Sequence, residues 1–308
     1  MSHSFLKESK LYIVYGGTRY RIHTSTALSF SQTFAEDSYP VKTLHDQSKM
    51  FEGTTVTKAN PAQFSFGVPL TVEKDESIVM DLIADLVATS DSDIETQQLK
   101  SFDMYVQTGS STFKVNNCVV TSADFAFNPR EQFKVTMAGQ GTKLERVGNE
   151  SYTIPGSVQS ESSTRTPLIV YPVVSVSGLD MSSILGVTVS IQNNIDWTPF
   201  ETLHSSLSVT NSSNAMFPSA YVVKSRVVSG AIQQYQTDNN ITQFDDFETD
   251  TVILIVAKKS SDNTSFWSLR MNPAMYTARM SVASIYTQTY DFRTLDNTAL
   301  GTRITQYS

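Results

Sequence analysis

A single cysteine, Cys118, occurs in the 308 residues. No disulfide can form within the chain, so the fold must stand on packing and hydrogen bonds, which suits assembly in a reducing cytoplasm. Histidine is scarce too: four His and one Cys are too few for a convincing metal cluster. Charged residues make up only 17% of the chain, against roughly 25% in an average globular protein. The net charge is −7, and no Lys/Arg cluster occurs. A partner held by its phosphates would need such a cluster, so the mildly acidic balance fits repulsion from nucleic acid better than attraction. The first ten residues hold no apolar h-region, so no secretory signal is expected. The longest apolar runs, such as 251–257, are far too short to span a bilayer as a helix. The expectation is a soluble chain that does not insert in membranes.

Catalytic patterns are missing as well. Gly139-Gln140-Gly141 leads to no helix and no Lys-Ser/Thr, so it is a turn and not a phosphate cradle. Gly-x-Ser-x-Gly is absent. His45 and His204 each follow Thr-Leu, and a repeated local hydrogen bond explains them better than a metal or acid–base pair. Cys118 as a nucleophile would need a partnered His, and its counterpart in the second half is Ala274, which marks a small packed site. The pairs Glu36-Asp37 and Asp245-Asp246 are adjacent residues, which point to opposite faces of a strand. Trp197 and Trp267 are the only tryptophans, few for sugar-binding platforms. No enzyme activity, cofactor or metal is expected.

Hydrophobic residues are nevertheless 40% of the chain, with 17 Phe and 13 Tyr, so a large core can form. Ser, Thr, Asn and Gln replace the missing charges, as suits strands with one polar face. Period-2 alternation dominates. Phe64, Phe66 and Val68 alternate with Gln63, Ser65 and Gly67; Phe133, Val135 and Met137 with Lys134, Thr136 and Ala138; Val187, Val189 and Ile191 with Thr188 and Ser190. Residues 11–15 and 20–22 flank Gly16-Gly17-Thr18 and predict a hairpin. One helix is predicted over 76–88, capped by Asp75, with Ile78, Val79, Leu82, Ile83, Leu86 and Val87 on one stripe and Asp81 and Asp85 opposite. A shorter apolar-acidic stretch at 241–247 looks like its reduced counterpart.

The halves repeat each other. Residues 39–45 line up with 198–204, the strands 27–31 with 186–190, 114–121 with 270–277, and 11–15 with 168–171. The division expected is a first domain at 1–150, an aperiodic linker at 151–166 and a second domain at 167–308. Each half also has a long polar inter-strand connection, 34–61 and 193–224, of the kind that is usually functional.

The stretch 183–195, a loop, then 225–235 and Thr237-Asp238 resembles the core of bacteriophage tail tube proteins, as do Ser29-Phe30-Ser31, 62–68 and the hairpin 122–127 with 133–144. The likeness covers about residues 8–300. It is nearest to the duplicated-domain major tail protein of flexible long-tailed phages. That resemblance implies a mainly β fold of two tandem tail-tube-type domains, each a β-sandwich or barrel-like sheet with one flanking helix and a long inter-strand loop. It implies a structural virion protein, assembled in the host cytoplasm as stacked, trimeric, pseudo-sixfold rings whose channel conducts genomic DNA without binding it specifically. The partners implied are other copies of the chain and the tape measure, terminator and distal tail proteins. Channel strands are expected near 26–34, 62–70, 119–127 and 132–139, then 186–194, 226–236, 274–282 and 285–292. Ser29, Ser31, Gln63, Ser65, Thr136, Thr188 and Ser190 would face the lumen. Pro40, Thr43, His45, Pro199, Thr202 and His204 would lie in inter-ring loops. The same fold also serves tail terminators, distal tail proteins and contractile-tail inner tubes, and a tail-tip carbohydrate-binding module is the rival of another class.

Overall fold

The computed structural model describes residues 9–24, 28–39, 53–87, 99–128, 130–197, 217–240, 247–282, 284–294 and 303–306. The alternating segments are strands. The first half holds β1 (Lys10–Tyr15), β2 (Thr18–Ile22), β3 (Ser29–Ser31), β4 (Phe34–Tyr39), β5 (Gly53–Ala59), β6 (Ala62–Pro69), helix α1 (Ser77–Ala84), β7 (Phe102–Gln107), β8 (Thr112–Phe127), β9 (Lys134–Gly141) and β10 (Lys143–Gly148). β11 (Ser157–Val158) lies in the connection. The second half holds β12 (Val170–Val176), β13 (Ile184–Trp197), β14 (Tyr221–Tyr235), β15 (Phe247–Lys259), β16 (Ser265–Val282), β17 (Tyr286–Thr294) and β18 (Arg303–Gln306). The chain is mainly β, as expected. Among the described residues no helix is long and apolar enough to cross a membrane. The expected helical counterpart at 241–247 lies outside the described residues except Phe247, which starts β15.

Hydrogen bonding runs β3-β6-β9-β8 in the first half, with β7 and then β1 continuing from β8 and β10 on the other side of β8. The second half runs β13-β14-β17-β16, with β15 and then β12 continuing from β16 and β18 on its other side. The strand order is therefore duplicated. Register corrects one expected match: Ile13 opposite Met104 corresponds to Val176 opposite Ile253, so 11–15 answers β12 further along than 168–171. Alternating strands look alike at several offsets, and only the pairing partner selects one.

β8 and β16 each serve two sheets. The early part of β8 pairs with β7 and β10, the later part with β9 and β13. The switch coincides with Asn117 at φ 46° and a register shift between Val120 and Ser122, a bulge that bends the strand from one layer to the next. Phe64 on β6 and Phe102 on β7 pack edge to face between the layers, with ring centroids 5.9 Å apart.

α1 buries Ile78, Val79, Met80, Leu82 and Ile83, and Leu86 and Val87 follow them into the core. The stripe is thus as the sequence indicates, but the cap is not. Glu76 occupies the N-cap position and makes no capping bond. Asp75 instead accepts from Ser162 N at 3.1 Å and pairs with Arg165. The predicted linker is held against this helix entry. Arg165 also pairs with buried Glu76, which accepts a 2.7 Å bond from Thr71 Oγ1. Thr166 donates to Glu73 through its backbone N at 2.9 Å and its hydroxyl at 2.6 Å. Earlier in the linker, β11 adds in parallel to β2, and Arg19 Nη1 donates to Ile154 O at 2.6 Å. The Thr166 hydroxyl holds the Glu73 carboxyl below its ordinary value. A depressed carboxylate stabilises the fold above its unfolded pKa and loses that contribution as pH falls through the folded value. Limited proteolysis within 155–166 is therefore expected to stay slow at neutral pH and to accelerate on acidification below the usual carboxylate range.

The repeat carries a swap. In the first half Phe64 stands directly across from Gly139; at the equivalent place in the second half, Gly230 stands across from Phe292. A Cβ on Gly139 would collide with the Phe64 ring and the Val119 carbonyl; one on Gly230 would collide with the Thr188 carbonyl and the Phe292 ring. Each ring needs its glycine. Gly139→Ala and Gly230→Ala are each expected to cost about 1–3 kcal/mol, the usual range for overpacking, read as a lower urea midpoint at unchanged m.

Candidate functional site

Between the two halves, β8 and β13 pair antiparallel from Phe127 opposite Val187 to Ser122 opposite Gln192. The two inner sheets thereby fuse into one sheet of eight strands, in the order β3-β6-β9-β8-β13-β14-β17-β16. Its apolar side is buried. Phe125 and Phe127 lie 4.9 and 5.7 Å from Trp267, and Phe133 meets Phe266 edge on at 6.3 Å. α1 packs against both β8 and β18, and Arg226 on β14 donates to the carbonyls of Asp85 and Leu86 just past the helix end. Trp197 Nε1 donates to Gln140 Oε1 at 2.7 Å, and Tyr221 Oη accepts from Leu99 N at 2.7 Å, so second-half strands are bolted to the first half.

The opposite side of the sheet is largely polar, with Val227 and Tyr235 of β14 exposed among its polar residues. Ser29 lies across from Ser65 and Ser65 from Ala138; Ser31 lies across from Gln63 and Gln63 from Gln140. Ser29, Ser31, Gln63 and Ser65 share a shallow depression with Thr121 and Gln140. Thr136 lies across from Asp124, Asp124 from Ser190, and Thr188 from Ala126. All seven residues singled out as channel-facing are thus on one face of one sheet. Gln32 at its margin is different: its amide donates to the carbonyls of Asn60 at 2.9 Å and Thr142 at 3.2 Å and accepts from Leu144 N, so it brackets loops. Pro40, Thr43, His45, Pro199, Thr202 and His204 lie outside the described residues.

Fixed charge on this face is sparse and mixed. It carries Asp124, Lys134, Asp196, Lys224, Arg279, Asp291 and Arg293 among the described residues, with Lys224 paired to Asp196 and Arg279 Nε 2.9 Å from Asp291 Oδ2. The balance is near neutral.

The sheet ends in two unequal edges. At one, β3 pairs only with β6. At the other, β16 beyond Thr277 pairs only with β17. Around that second edge Met280, Val282, Ile285 and Tyr286 are exposed. The sequence did not single them out, because an exposed apolar residue in an alternating strand looks like a core residue until its neighbours are known.

Chemistry is hard to place here. No group of three or more His, Cys, Asp or Glu that could hold a metal occurs among the described residues. The Cys118 thiol is fully buried, donates to Val115 O at 3.3 Å, and is pushed well above its ordinary pKa by burial, so it stays protonated and inert.

A duplicated β sheet with one largely polar face, one buried apolar face and open ends is the architecture of a structural β protein of tube type. The chain belongs to the Bacteriophage Baseplate Tube Protein Family, whose sequence profile matches residues 1–302. It is thus a phage tail or baseplate tube protein, a coarser assignment than the major tail protein of flexible-tailed phages that the resemblance implied. No curated protein matches the chain.

Proposed function

We propose that copies of this chain close edge to edge into a ring of the phage tube, and that genomic DNA passes through the ring. The observation that supports this most directly is the eight-stranded sheet, continuous across both halves and open at β3 and β16. Unpaired edges invite another strand, and unlike edges meet head to tail, which gives a ring when the rotation closes. Three copies bring 24 strands. At a spacing of about 4.8 Å and a tilt of about 40°, that barrel is roughly 48 Å across between backbones, ample for duplex DNA. Two copies reach only about 32 Å, which inward side chains narrow to near the duplex width.

The polar face then lines the channel through Ser29, Ser31, Gln63, Ser65, Thr136, Thr188 and Ser190. Short hydroxyl and amide side chains with little net charge let a polyanion slide, whereas a row of cations would hold it through its phosphates. Stacking onto further rings, and contacts with tape measure, terminator or distal tail proteins, belong to the same proposal, with the loops around Pro40, Thr43, His45, Pro199, Thr202 and His204 at the stack. The family's description favours the baseplate end of the tube over the length of the tail.

Negative-stain electron microscopy of concentrated protein is the first test. End views with a central hole and three-fold or near-six-fold symmetry are expected. Single rings or short stacks fit a baseplate section, and open-ended tubes fit the tail itself. Monomers at every concentration, with or without neighbouring tail proteins, would overturn the ring. For the channel face, a phage carrying Ser65→Lys, Thr136→Lys and Thr188→Lys together is expected to assemble but eject DNA more slowly and give a lower titre. Unchanged ejection would show that this face does not meet DNA.

A further inference from the structure

Each half meets the other through a defined seam, and the repeat supplies that seam's counterpart with nothing on it. Pairing registers set the equivalences. Ala123 opposite Met137 matches Ala278 opposite Tyr290; Phe125 opposite Val135 matches Met280 opposite Gln288. Continuing along the hairpin, Phe127 matches Val282 and Phe133 matches Tyr286. On the other partner of the seam, Val187 and Val189 of β13 match Leu28 and Phe30.

In the internal seam these positions are dry. Phe125, Phe127 and Phe133 are 1–2% exposed, and Val187 and Val189 are 1% exposed. Their counterparts are open: Met280 36%, Val282 69% and Tyr286 53%, with Leu28 and Phe30 half-buried. All five open positions are apolar. A solvated strand end has no reason to keep an apolar residue at each place that its twin buries, and a flat apolar edge is a liability in a free monomer. Phe30 also leans on half-buried Phe113 at 5.7 Å, which widens the apolar face beside β3.

We infer that the edge of β16 at 278–282 docks antiparallel on β3 of a second copy of this chain, in the register of the internal seam. Transposing that register sets Ser281 opposite Ser29, Met280 opposite Phe30 and Arg279 opposite Ser31. Met280, Val282 and Tyr286 then cover Leu28, Phe30 and Phe113 of the neighbour. The inference rests on the ring reading above and adds the edges, direction and register of its contact. The inter-copy seam differs from the internal one in strength. β3 has three residues where β13 has fourteen, and methionine and valine replace two phenylalanines, so the ring parts between copies before it parts within one.

Engineered disulfides test this in a Cys118→Ala background. Ser29→Cys with Ser281→Cys should oxidise to covalent trimers on a non-reducing gel, because directly opposed strand residues fall within disulfide reach. Ser29→Cys with Arg279→Cys, two residues out of register, should not. Val282→Asp should abolish ring particles while leaving the monomer's circular dichroism and Tm unchanged. If rings form but the in-register pair does not cross-link and Val282→Asp still assembles, the seam is wrong and the ring reading stands. If no rings and no cross-links form, both fall. A cross-link only from the out-of-register pair overturns the register.

Discussion

The structure depends on six residue pairs between β8 and β13. Without them the four-stranded sheet β3-β6-β9-β8 and its counterpart β13-β14-β17-β16 would each end in two bare edges. With them, two of the four edges vanish, and the hairpin end of the first half brings Phe125, Phe127 and Phe133 onto Trp267 and Phe266 of the second. The ladder also aligns the two polar faces, since a slip of one residue would turn every side chain of one half to the wrong side. The polar face, the shared core and the position of α1 over the junction all follow from that register.

Much of this was legible in the sequence. Alternation located the strands, because half-buried strands need one apolar face. The strands that the resemblance implied near 62–70, 119–127, 186–194, 226–236 and 274–282 also occur, and the stripe of α1 is buried as its spacing requires. Duplication was legible too, since two copies of one topology keep the same residue types at the same points of the path. The cap of α1 was not. Asp75 has the right chemistry for an N-cap, but Ser162 and Arg165 compete for it across 87 and 90 residues, and nothing local signals partners so distant. The linker was misleading for the same reason. It lacks periodicity because its one strand, β11, is only two residues long, yet its hydroxyls and Arg165 have fixed carboxylate partners at 73–76.

The exchange of phenylalanine and glycine between the repeats shows what the duplicated core conserves. Phe64 over Gly139 and Phe292 over Gly230 fill the same space from opposite strands. What is fixed is one ring per cross-strand pair, and the strand that supplies it is free. A polar variant of this freedom lies nearby. Gln234 and Gln288 are fully buried, and Gln288 accepts from Tyr290 and donates to the Asn240 carbonyl, whereas the equivalent places in the first half are Val68 and Val135. The amides hold the 237–240 turn against the second sheet. The first half closes a similar turn at 71–74, with Lys74 N donating to Thr71 O at 3.3 Å, but fills the space beside it with hydrocarbon. Sequence comparison of the halves sees four mismatches here; the register resolves them into two compensated arrangements.

The asymmetry between the two halves bears on assembly. Had the repeats stayed identical, each chain could pair with itself or with another copy through indistinguishable seams, and closure would compete with runaway addition. Here the internal seam is long, aromatic and covalently tethered, while the outer edges are short and only moderately apolar. Folding therefore completes the internal seam first, since its partners lie on one chain at high effective concentration. In the proposed ring the outer edges would meet only afterwards, between finished subunits. A short outer seam keeps a monomer soluble at low concentration, where a long bare edge would aggregate. In that ring, closure would rest on the combined contacts, because the last subunit would gain two seams at once.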